Sequence, residues 1–169
     1  MLALDDPRWS DLRDCHGPAT RIPELLRQIR ERPGDGELWG YAQGSLCNEG
    51  EISPACYAAL PHIVDAAAHA APGDRFDHIA FVAHVTLAAG GPDADCPAFL
   101  VNDFNAAIER MKPLAAEALF AKAWDEDESR YLLGACAILM DQPELGGALE
   151  VIEELACPNC GEGLDPDAE

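Results

Sequence analysis

Apolar residues recur along this chain at helical spacing, in blocks of helical length separated by proline, glycine and aspartate. No stretch alternates with period two for long enough to predict a sheet. The first block runs from Pro7 to Cys15, with Asp6 as an N-cap ahead of a proline and Gly17-Pro18 as its stop. The second runs from Ile22-Pro23 to about Arg32, where Pro33-Gly34 ends it. A third follows Asp35, carrying Leu38, Trp39, Ala42 and Leu46 until Asn48-Glu49-Gly50 breaks it. The fourth opens at Ser53-Pro54 and lines up Cys56, Leu60, Ile63, Val64 and Ala67 before Pro72-Gly73. Pro61 is expected to kink it, because the Tyr57 carbonyl loses its helical donor. The fifth, Asp74 to Ala89, is apolar almost all round (Phe76, Ile79, Phe81, Val82, Val85, Leu87), which predicts a helix at the centre of the fold. After Gly90-Gly91-Pro92, Pro97 opens a long segment reaching about Trp124 that Pro113 is expected to divide or bend. Two last helices are predicted over Ser129 to Met140 and Pro143 to Leu155.

Short connections make successive helices antiparallel, so the pattern predicts an all-α chain of stacked helical hairpins. Residues 1–155 read as one helical domain and 156–169 as a tail. Pairs of roughly 35 to 45 residues match the HEAT or armadillo range of α-solenoids, and a compact helical bundle is the other architecture the pattern allows.

Composition narrows the function classes. The chain has 169 residues and a formal charge of −20, which repels nucleic acid and anionic lipid and favours a basic protein partner. From Asp125 to the end there are thirteen acidic residues and one basic residue, Arg130. Such a run is either a solvated face or a steering surface. The seven cysteines are odd in number and scattered, and MLALDDPRW lacks a basic n-region ahead of an apolar stretch, so a reducing cytoplasm is expected. The most apolar run, Ile79 to Ala89, is about half a membrane span in length and carries His84.

The most specific local motif is Cys157-Pro158-Asn159-Cys160-Gly161. Two thiolates two residues apart grip one Zn²⁺ in zinc knuckles, and the glycine permits the tight turn that aims both sulfurs inward. No second half occurs, so closure needs distant ligands such as Cys15 or His16, or a second chain; otherwise Cys157 and Cys160 are idle thiols on an acidic tail. A thioredoxin-like role fits poorly, because flanking acids raise a thiol pKa. An alternative metal site is His62, Asp65 and His69, which share one side of the fourth block, with Asp77 or His78 completing it for metal-assisted hydrolysis. The competing reading hydrogen-bonds His62 near the proline and leaves Asp65 and His69 in solvent. His84 is expected in the core. Gly90-Gly91-Pro92 lacks the lysine and strand of a phosphate loop, and no nucleophile elbow is present. Trp9, Trp39 and Trp124 read as core or junction residues whose N–H groups need partners.

Glu37-Leu38-Trp39-Gly40, Ser45-Leu46-Cys47-Asn48-Glu49-Gly50-Glu51 and Tyr57-Ala58-Ala59-Leu60-Pro61-His62-Ile63-Val64, with the Trp9 to Ala19 segment and the Cys-Pro-x-Cys-Gly ending, resemble uncharacterised bacterial HEAT-like helical-repeat proteins, some of them immunity-protein-like. The resemblance implies a helical-repeat fold and binding of a cognate protein, and it brings no catalytic residues. The expected function is thus a non-enzymatic protein-binding module, immunity-like, with a small zinc knuckle as a structural clip.

Overall fold

Asp35, Ser53 and Asp125 each hold extended backbone just ahead of a helix, and the Asp35 and Asp125 carboxylates accept the amide N–H groups of Glu37 (3.1 Å) and Glu128 (2.8 Å). Residues 1–48, 51–90 and 96–150 are described by a computed structural model. Among them the helices are α1 (Ile22–Glu31), α2 (Gly36–Leu46), α3 (Pro54–His69), α4 (Phe76–Ala89), α5 (Val101–Leu119), α6 (Glu126–Leu139) and α7 (Pro143–Glu150). The chain is mostly helical, as its periodicity predicts.

The first predicted block is not a helix beyond a single 3-10 turn, Pro7–Ser10. It gives way to a hairpin of β1 (Arg13–Asp14) and β2 (Gly17–Pro18), with Arg13 opposite Pro18. The Asp14 carboxylate accepts the amides of His16 and Gly17, both at 2.8 Å, and Gly17 takes φ +147°, a conformation no helix tolerates. A second hairpin, β3 (Cys47–Asn48) and β4 (Glu51–Ile52), joins α2 to α3.

Odd-numbered helices pack on one another, α1 on α3 and α3 on α5, and α4 packs on α6. Trp39 of α2 extends the even set by meeting His78 and Phe81 of α4, with ring centroids 4.7 and 6.0 Å away. Sequence neighbours α1 and α2, α3 and α4, and α5 and α6 also touch. The centre is α3 rather than α4: α3 buries eleven of its sixteen residues, whereas α4 buries six of fourteen. Five of the buried α3 residues are alanines, which let the neighbouring helices approach closely. Leu87, apolar on paper, is exposed.

Pro113 does not divide the long segment. The buried stripe of α5, Phe104, Ala107, Met111, Ala115 and Ala118, runs unbroken past it while Pro113 and Glu109 face solvent. Water can satisfy the Glu109 carbonyl that loses its donor. The helix α6 begins at Glu126, ahead of the predicted Ser129, because Asp125 and Glu128 cap it reciprocally. At Asp141 the backbone turns through φ 60°, and α7 comes back onto α6 so closely that a Cβ on Gly146 would lie 2.8 Å from the Gly134 carbonyl.

Each tryptophan donates its indole N–H to a carbonyl six residues earlier: Trp9 to Ala3 (2.8 Å), Trp39 to Pro33 (2.8 Å) and Trp124 to Ala118 (3.0 Å). Arg75, buried between α3 and α4, donates to the Ala70 carbonyl (3.2 Å) and pairs with Glu117 of α5 (2.7 Å). Its charge is met by a carboxylate and by the carbonyl end of α3.

Candidate functional site

Cys157 and Cys160 lie outside the described residues. The alternative set does not converge. His62 donates from Nε2 to the Leu2 carbonyl (2.7 Å), Asp65 pairs with Arg110 of α5, and His69 donates from Nδ1 to the Asp65 carbonyl (2.7 Å). His78 is wholly buried against Trp39, and Asp77 stands half-buried beside it at the start of α4. Among the described residues no group of three His, Cys, Asp or Glu side chains is placed to hold a metal ion. His84, expected in the core, is exposed, and His78 takes the buried position instead.

Cys15 sits in the first hairpin over a cavity of about 400 Å³ shared with Arg13, Asp14, Asn48 and Glu51. Burial pushes its thiol up, an N–H from Asn48 pulls it back, and the Asp14 and Glu51 charges raise it further. Burial likewise lifts Cys47 to about 11 and Cys56 well above the ordinary range. At neutral pH these groups are thiols, which are poor nucleophiles.

A cavity of about 990 Å³ opens between the first hairpin, α1 and α2. Its walls include Asp14, His16, Arg21, Glu24, Glu37 and Tyr41. The hairpin turn uses Asp14, and Glu24 is occupied by Arg27 (3.3 Å) and Gln28 (3.1 Å). The Glu37 carboxylate has no hydrogen bond or ion pair among the described residues, and Tyr41 is 64% exposed. Tyrosine is among the residue types that most often anchor a protein partner, and an unpaired acid beside it adds negative charge. Nothing in the sequence flags this cleft, because its walls come from three elements spread over residues 14–45 and meet only after folding.

Comparison with known proteins finds no match among family models, curated proteins or solved structures.

Proposed function

We propose that this chain is a non-enzymatic helical-repeat module that binds a basic protein through the cleft between the first hairpin, α1 and α2, and acts as an immunity-like inhibitor by occupying its partner. The observation that carries the reading is the cleft itself, about 990 Å³ with three acids and an exposed tyrosine on its walls. The charge of −20 supports it, since opposite charge steers association. The packing of α1 on α3, of α3 on α5 and of α4 on α6 suits stacked pairs of a solenoid. Affinity capture with the parent and with a Glu24→Lys, Glu37→Lys, Tyr41→Ala variant tests the reading. A basic protein held by the parent, released as salt rises and lost from the variant is the expected result. The same proteins held by both would sink the cleft as the docking site.

The clip belongs to the same proposal: Cys157 and Cys160 supply two thiolates to one Zn²⁺, and the body or a second chain supplies the other ligands. A Cys157→Ser, Cys160→Ser variant should lose bound zinc and keep its helical circular dichroism. Equal zinc in variant and parent would refute the site.

A further inference from the structure

A second cavity, about 280 Å³, lies where α2, α4 and α6 meet, with Trp39, Gln43, Asp77, Phe81, His84 and Tyr131 on its walls. It is separate from the docking cleft. Its volume falls just below the ~300 Å³ at which pockets for drug-sized ligands begin, so it suits one compact group. Trp39 and Phe81 are nearly buried, their ring centroids 6.0 Å apart and their planes 47° from each other. Trp39 is held by its N–H on the Pro33 carbonyl and by the His78 ring 4.7 Å away. Tyr131 of α6, half exposed, adds a third ring and leans on Phe76 at 6.4 Å. Aromatic faces are electron-rich and attract cations.

The same cavity carries an acid that lacks a counter-charge. The Asp77 carboxylate has no hydrogen bond or ion pair among the described residues, and no lysine or arginine lines the space with it. Burial and the nearby charge of Glu128 push its pKa up, which a bound cation would reverse. Among the described residues no three His, Cys, Asp or Glu side chains gather here to hold a bare metal ion. A guanidinium brings five donors and an unmethylated ammonium three, and the acceptors on this wall are the Asp77 carboxylate, the Gln43 amide carbonyl, the Tyr131 hydroxyl and the His84 imidazole, set among three aromatic rings. A methylated ammonium asks for little hydrogen bonding and prefers aromatic faces.

We propose that the cavity between α2, α4 and α6 is a cage for a methylated alkylammonium group, with Trp39, Phe81 and Tyr131 as its aromatic walls and Asp77 as its counter-charge. The group is either the head of a free quaternary amine or the methylated lysine of a partner protein. This assignment stands whether or not the first cleft docks a protein.

The full chain, labelled with ¹⁵N, can be titrated with choline and with its neutral isostere 3,3-dimethylbutan-1-ol while the three indole N–H signals are followed. Choline should move the Trp39 signal and leave those of Trp9 and Trp124 in place, with the neutral analogue weaker by about tenfold. Asp77→Asn should weaken choline by a similar factor, and Tyr131→Ala, on the exposed side, should weaken it in a protein of unchanged circular dichroism. A trimethyllysine peptide that binds more tightly than choline identifies the protein source, and the reverse order identifies the free amine. An unmoved Trp39 signal, equal binding of the neutral analogue, or choline binding untouched by both substitutions would overturn the proposal.

Discussion

His78 is a buried imidazole with no hydrogen bond to either ring nitrogen among the described residues. Burial and then the charge of Arg75 lower its pKa from 6.5 to about 4, so the folded chain keeps it neutral. The unfolded chain binds the proton more readily, so His78 costs nothing above pH 6.5, and stability is lost as pH falls from there toward about 4. The loss is about 3 kcal/mol by the time it levels off. His62, lowered mainly by burial, acts in the same direction. A His78→Leu variant should therefore show a flatter stability profile across that window in urea unfolding at stepped pH; a slope equal to the parent's would contradict the assignment. The sequence pattern places His84 in the core and offers His78 as a metal ligand, whereas folding buries His78 and exposes His84. Six residues at ~100° each put them on well-separated faces of the helix, and a helix that is apolar nearly all round does not advertise which face is inside.

At the scale of elements, the glycines of α7 make opposite predictions. A Cβ on Gly146 would meet Ile138 Cγ1 at 2.5 Å and the Gly134 carbonyl at 2.8 Å, and the carbonyl is backbone and cannot rotate away. Gly146→Ala should push α7 off α6 and cost about 1–3 kcal/mol. Gly147 has nothing within 4 Å, and Gly147→Ala should gain about 0.5–1 kcal/mol from helix propensity alone. Thermal unfolding of the two variants checks both signs, and a tolerated Gly146→Ala would mean that the two helices lie farther apart. Most helices were legible because proline and aspartate sit at their starts, as Asp35 and Ser53-Pro54 do. The start of α6 was readable too, in the Asp125-x-x-Glu128 capping pattern, three residues ahead of the predicted Ser129. The two hairpins were not. Strands of two residues carry no periodicity, and their signal lies in turn chemistry such as Asp14 accepting the amides of His16 and Gly17.

For the whole molecule, thirty-one acids against eleven lysines and arginines make self-repulsion a general cost of the folded state. Raising salt from low to moderate concentration should lift the melting temperature as that repulsion is screened, and a flat response would show that local pairs such as Arg32 with Asp35 already offset it. The overall charge, which first suggested a basic partner, is open to inspection in the sequence. The two cavities are not, since Glu37 and Tyr41 meet Asp14 and His16, and Trp39 meets Asp77 and Tyr131, only when separate helices are packed.

The three indole bonds have a consequence for how the chain comes apart. Each ties a short loop of backbone at a different place, before α1, between α1 and α2, and after α5. An indole leaving its carbonyl reports the release of that junction alone, so versions of the protein keeping one tryptophan each, the others replaced by phenylalanine, act as three local clocks. If the helices peel away from the ends, Trp9 and Trp124 will lose their native emission at lower denaturant than Trp39. Three coincident midpoints would instead mark a body that yields all at once.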